Sequence, residues 1–384
     1  MNKEKIKNFI KKQWWRAAVL LLLVALLLLL YSARENTELC ENFFAKGLSR
    51  GYIFAISRIT NLLPFSLTEW VYVATIILII YLVIKLIVYL AKRKWTAFFK
   101  CAYNVLCVTL AIIALFNATF TCSYSRKSVM TAFNFEDVEM STKECADASI
   151  YYADMCNEIA LNMTFDEDGN VVCPYTFDEL STLINEEYHR FEGEYYSAFN
   201  LRAKPVVMSK FMSHSGITGQ FQAIFGESNV STDIPTYQVP ETIAHEIAHG
   251  KGVSREDEAN YSAYYLLLTS DDEYLRYCGL MYASLKMLNE SYDKNDPSEY
   301  IRAREHFEEH ALKQYDNANK HWASYDTLWD KITDWWNDRY LKSSGQSEGV
   351  KSYSMTGKFL LQIYKSQMEN AEQPHNALKN TEKI

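Results

Sequence analysis

Three long apolar runs stand within the first 122 residues of this 384-residue chain, and they constrain its fold more than any other feature. The first, RAAVLLLLVALLLLLYS (16–32), has about the length that crosses a hydrocarbon core of roughly 30 Å as a helix. The basic segment MNKEKIKNFIKKQWWR precedes it and no A-x-A cleavage site follows, so it reads as a retained anchor rather than a removed signal peptide. Trp14 and Trp15 stand where aromatic rings anchor at the headgroups. WVYVATIILIIYLVIKLIVYL (70–90) is a second span, with Lys85 near enough to one end to extend its ammonium group to the interface. A third covers about 101–121 in CAYNVLCVTLAIIALFNATFTC. Lipid offers the backbone no hydrogen bonds, so each run must be helical.

Charge orients these helices. Lys3, Lys5, Lys7, Lys11, Lys12 and Arg16 flank the first span, and Lys92, Arg93, Lys94 and Lys100 fill the short connection between the second and third. Both segments belong in the cytoplasm. The loop between spans one and two balances four basic against four acidic residues and fits the outside. The expected organisation is a membrane anchor over 1–122, an extracytoplasmic domain over 123–367 and a polar tail over 368–384, in a multi-pass protein of the cytoplasmic membrane whose N-terminus is inside. Within the outer loop, GLSRGYIFAISRITNLLPF (47–65) carries apolar residues at helical spacing. It lies along the membrane surface or packs as an amphipathic helix on the spans.

The net charge of −8 belongs mainly to the region beyond the spans, which has no basic, aromatic-interleaved stripe, so nucleic acid is not its partner. The chain's eight cysteines include no C-x-x-C pair, which argues against a thiolate zinc ribbon and a thioredoxin-type site. Cys145 and Cys156 are too far apart along one helix to bridge each other. Bridges to Cys122, Cys173 or Cys278 compete with the plainer reading of small buried residues. Capping boxes at Ser141–Glu144 and Thr176–Glu179 start two helices, with a DEDGN turn between them. KPVVMSKFM (204–212) and GQFQAIFGESNV (219–230) read as short strands. From Pro240 onward the pattern is mostly helical.

The chemistry concentrates in ETIAHEIAHGKGVSREDEANYSAYY (241–265). His245 and His249 are four residues apart and share a helix face, so both imidazoles can point at one tetrahedral zinc. Glu246 stands about 100° around the same helix, within reach of water at that zinc. Ile243, Ala244, Ile247 and Ala248 mark the helix as buried, and a buried histidine pair needs partners for its ring nitrogens. Gly250 and Gly252 end the helix and let the chain reverse. A second helix, capped by Ser254, then supplies carboxylates. Glu256 shares a face with Ala259, Asn260 and Ala263, small enough for close helix approach, and is the expected third ligand, with Glu258 the alternative. Asn260 is positioned to accept an imidazole N–H.

HEIAH followed by E-x-x-A-N on the next helix resembles the Glu-zincin arrangement, in which H-E-x-x-H gives two ligands and the following helix the third. The spacing from His249 to Glu256 is shorter than in thermolysin-like enzymes, and Asn260 stands where an aspartate is usual. With the spans and the later YLKSSGQSEGVKSY (340–353), the chain is similar to a bacterial family of unknown function in the zincin-like metallopeptidase clan. The resemblance implies an α+β fold, mostly α: three N-terminal transmembrane helices followed by a zincin-like domain with a small sheet. It implies a membrane-anchored zinc peptidase acting on envelope or extracellular proteins and peptides, with Glu246 as general base, zinc as cofactor and the bilayer as the other partner. The strand over 219–230 can offer its edge to an extended peptide. Tyr353 is a candidate for an oxyanion donor, against its reading as a packed aromatic.

Three rivals stand beside this reading. A zinc-binding envelope scaffold without catalysis would not need Glu246. An intramembrane protease would not place its motif more than 120 residues beyond the last span in polar sequence. HFEEH (306–310) has the inverted zincin order, but its charged surroundings suit a solvated helix face with i, i+4 pairs. Trp322, Trp329, Trp335 and Trp336 read as core rather than as a carbohydrate platform.

Overall fold

The computed structural model describes residues 3–372 apart from 134–137, 192, 194, 326–332, 334, 336, 340 and 344–354. Three of its helices are long and apolar enough to cross a membrane: α1 (Lys3–Ala33), and, after α2 (Thr37–Leu39), a π-wound stretch over Cys40–Ser49 and α3 (Arg50–Thr60), the pair α4 (Leu67–Ala91) and α5 (Trp95–Thr119). Helix α5 packs against both α1 and α4. Leu22, Leu29, Ile76 and Ile77 are more than half exposed, as expected of side chains that lipid covers.

The remaining chain builds α6 (Thr142–Ala160), α7 (Phe177–Tyr188), β1 (Ala203–Val206), α8 (Ser209–Ser213), β2 (Gly219–Gln222), β3 (Glu227–Ser231), α9 (Val239–Lys251), α10 (Glu256–Leu268), α11 (Glu273–Glu290), α12 (Ser298–Arg304), α13 (Glu309–Ala323) and α14 (Met355–Glu372). Both capping boxes form, at the starts of α6 and α7. Helix α14 continues through residues expected in the polar tail. The sheet has the order β1-β3-β2, with β1 parallel and β2 antiparallel to β3, so β2 is an edge strand. Helix α9 covers this sheet and α10 packs back on α9, while α11 joins α10 to α6. The core between them includes Ile243, Ile247, Leu266, Leu267 and Leu288, all fully buried.

Two strand expectations are corrected. KPVVMSKFM is strand only in its first half, because Ser209 turns the chain into α8 and its hydroxyl bonds the Val206 carbonyl (2.5 Å). GQFQAIFGESNV is a hairpin, reversed at Gly226 with φ 58°. The 47–65 segment packs on this hairpin as well as on α5: Tyr52 donates to the Ile224 carbonyl (2.7 Å) and Thr60 to that of Phe225 (3.1 Å). All eight cysteines are thiols, with Cys40, Cys122, Cys145, Cys156 and Cys278 buried.

The apolar helices and the sheet are tied by exchanged caps. Glu227 on β3 accepts the Leu67 and Thr68 backbone N–H groups (3.2 and 2.8 Å) at the start of α4 and pairs with buried Lys204. In return Glu69 on α4 accepts the N–H groups of Val207 and Met208 (3.0 and 2.7 Å). Carboxylates at helix N-termini satisfy orphan donors and meet the positive end of the helix dipole. A second tie is the buried pair of Arg126 and Glu41, bonded twice at 2.8 Å. Burial alone would raise the Glu41 carboxyl, but Arg126 and Lys46 hold it below its ordinary value. Removing one partner of such a pair leaves an uncompensated buried charge, so Arg126→Ala should cost about 3–5 kcal/mol. Thermal unfolding of the full-length protein in detergent checks this, and Arg126→Ala combined with Glu41→Gln should recover part of the loss.

Candidate metal centre

Local rules on α9 and α10 build the site. Pro240 stands in the first turn of α9, where a missing N–H costs nothing. The apolar face of Ile243, Ala244, Ile247 and Ala248 turns into the core, and the Ser228 hydroxyl bonds the Glu246 carbonyl (2.9 Å), seating α9 on β3. The two glycines have different tasks. Gly250 lies inside α9, where a Cβ would come within 2.2 Å of Leu201. Gly252 ends the helix with φ 116°, a left-handed conformation that disfavours a side chain. Val253 N–H then donates back to the Ala248 carbonyl (3.0 Å), and α10 begins at Glu256. The N-cap position of α10 is Arg255, not Ser254, and its side chain makes no capping bond.

This reversal brings three ligand atoms together. His245 Nε2 and His249 Nε2 are 3.0 Å apart, and the Glu256 Oε2 atom lies 3.2 and 3.4 Å from them. Ligands at about 2.0–2.1 Å from a tetrahedral zinc are separated by roughly 3.3–3.4 Å, so the three fit one face of such a site. Glu258 points elsewhere, accepting from the Ser128 hydroxyl (2.7 Å) with Arg255 at 3.6 Å. His249 Nδ1 pairs with the Val253 carbonyl (2.7 Å), so the backbone takes the place expected of Asn260. Asn260 lines the cavity, and among the described residues neither histidine is bonded to it.

Glu246 is buried beside the cluster, and its Oε2 atom has no hydrogen-bond partner among the described residues. Gly219 on β2 makes room for it: a Cβ there would come within 2.5 Å of Glu246 Oε1. Burial pushes the Glu246 carboxyl up to about 7 against the pull of His245 and His249. Burial also depresses His245, but Glu256, Glu246 and Glu241 outweigh it and raise the imidazole to about 9. Burial would raise Glu256 too, yet the two histidines hold it well below the usual carboxylate range. A metal cation here would replace protons that the cluster otherwise keeps.

Residues 44–361 match a family model described as Protein of unknown function (DUF3810). The chain belongs to this family. No curated protein and no solved structure matches it. The DUF3810 match leaves out α1 but contains α4, α5 and every residue of the His245–His249–Glu256 cluster, so the site and two of the apolar helices lie within one family unit.

The cluster faces a cavity of about 970 Å³. Its walls include Gly219–Gln222 of β2, Tyr264, Tyr282, Lys286 and Trp322, and its floor Phe116 and Phe120. Trp322 is thus a wall residue, not core, and donates to Gln238 (3.3 Å). Trp335 is half exposed, while Trp329, Trp336 and Tyr353 lie outside the described residues. Glu241, raised by burial beside His245 and Tyr264, escaped the sequence reading although it stands one turn before His245 on the same face. HFEEH runs from the turn after α12 into the first residues of α13: His306, in the turn, pairs with Asp154 (3.2 Å), while His310 packs on Phe165 and is half-buried rather than on a solvated face.

The raised Glu246 carboxyl has a consequence for metal-free protein. A carboxyl that binds its proton more tightly when folded loses stability as pH rises from about 4.5 to about 7, because the unfolded chain releases that proton first. Glu246→Gln lacks this loss. Its stability advantage over wild type, measured by thermal unfolding in chelator, should grow across that window by something on the order of 1–3 kcal/mol. A constant difference would contradict the placement of Glu246.

Proposed function

We propose that this chain is a membrane-anchored zinc peptidase of the zincin-like clan, with its site on the outer side of the cytoplasmic membrane. The observation that carries the reading is the convergence of His245, His249 and Glu256 beside a buried, unpartnered Glu246 oxygen on an open cavity. Three protein ligands and an open position are the pattern of a catalytic zinc, whereas a structural zinc is closed by four. The ion supplies Lewis-acid polarisation of water and carbonyl oxygen. Glu246, near neutrality in its proton affinity, is placed to take a proton from water and return it to the departing amine. The Val253 carbonyl fixes the His249 tautomer, since it can only accept from Nδ1. The outer edge of β2, which pairs with no further strand among the described residues, supports strand addition of an extended substrate. Tyr264 and Tyr282, which line the cavity, are candidates to donate to a developing oxyanion. The outward orientation rests on the lysines and arginines at 92–94 and in the first 16 residues.

Metal analysis and peptide hydrolysis test this. Full-length protein should carry one equivalent of zinc, retained in Glu258→Ala and lost in Glu256→Ala. A peptide pool should be cut by wild type and about 10²–10⁴-fold more slowly by Glu246→Gln, which keeps the zinc. Zinc-free wild type with an intact fold would overturn the proposal.

A further inference from the structure

The cavity shares its walls with the apolar helices. Phe116, in the last turn of α5, and Phe120, immediately beyond it, form the floor, and the Phe120 ring lies 5.9 Å from that of His249, edge-on. Counting the roughly twenty residues that cross a hydrocarbon core from Lys100, the last basic residue at the other end of α5, brings the far boundary to the level of Phe120. The second helix gives the same level. Tyr72, two residues beyond the exposed Trp70, has its hydroxyl 3.0 Å from Gln220 Oε1 and accepts from Gln222 (2.8 Å), so it holds the strand at the rim of the cavity. Trp70 and Tyr72 are the residue types that settle at the headgroups.

A third observation comes from the other domain. Val207, Met208 and Phe211 expose 85, 40 and 60% of their surface, although Val207 and Met208 are bonded through their backbones to Glu69 at the start of α4. Leu62 and Phe65, just before α4, are exposed as well. Apolar side chains gathered at the end of a span are covered if they dip into the interface. The segment that carries Phe211 runs directly into the cavity wall at Ser215–Thr218.

We infer that the substrate is a polypeptide tethered in the same bilayer and cut close to the point where it leaves the membrane. The inference rests on the peptidase reading and names its substrate class. A chain added along β2 would pass Tyr72 and the Phe116–Phe120 floor at headgroup level, where a segment emerging from a span already lies. The phenylalanine floor, with Phe221 and Ile217, suits the apolar residues that border a span. A folded soluble protein would have to thread a loop between the domain and the lipid, whereas a tethered segment is held near the site at high effective concentration.

The test uses the zinc-loaded full-length protein in liposomes and three probes with the same randomised segment of about ten residues: a single-span reporter carrying it immediately beyond the span, one carrying it about thirty residues farther out, and the free peptide. The near-membrane segment should be cut at least about tenfold faster than either of the others, with Glu246→Gln slower on every probe by about 10²–10⁴-fold. Equal rates on all three would overturn the tethered-substrate inference and leave the peptidase standing. No cutting of any probe by the zinc-loaded protein would overturn the peptidase reading and this inference with it.

Discussion

Arg126 grips Glu41 with two bonds and with its remaining nitrogen holds the Gly252 carbonyl at 2.9 Å. One guanidinium thus joins the loop between the first two apolar helices to the turn between α9 and α10. That turn decides the chemistry. Only because Gly252 adopts a left-handed conformation does Glu256, seven residues after His249, return to within 3.4 Å of it. The Glu227 and Glu69 caps do the same work at the sheet, so the edge strand and the two histidines are fixed relative to the membrane helices as well as to each other.

Electrostatics explains why the cluster suits a cation. Two imidazoles and two carboxylates are buried together, and each would be costly alone. Without a metal, the neighbouring carboxylates raise His245 and burial raises Glu246 against the pull of the histidines, so both bind a proton more tightly than usual. A divalent ion held by His245, His249 and Glu256 would remove the need for those protons. Nothing in the packing of a purely structural helix pair calls for a carboxylate there.

Much of this was legible in the sequence where the rule is local. The i, i+4 spacing of His245 and His249, the glycine reversal, the two capping boxes and the three apolar runs each depend on residues within a few turns of one another. The small-residue face of α10 was enough to prefer Glu256 over Glu258. What escaped depends on tertiary partners. The reading of 219–230 as one strand missed the reversal at Gly226, because ESNVS is almost wholly polar and fully buried and no hydrophobic alternation marks β3 off from β2; its Glu227 and Asn229 are satisfied by α4 and its Ser228 by α9. The partner of His249 was sought among side chains and is a backbone carbonyl, exposed by the conformation of Gly252. Trp322 looked like core because sequence cannot tell a cavity wall from an interior.

The proposed activity requires a zinc ion bound by two imidazoles and one carboxylate. X-ray absorption at the zinc edge, on the full-length protein, tests this most directly. A shell of nitrogen and oxygen at about 2.0–2.1 Å, with the outer scattering of two imidazole rings, is the predicted spectrum. A sulfur shell at about 2.3 Å, or folded protein that holds no zinc, would contradict it.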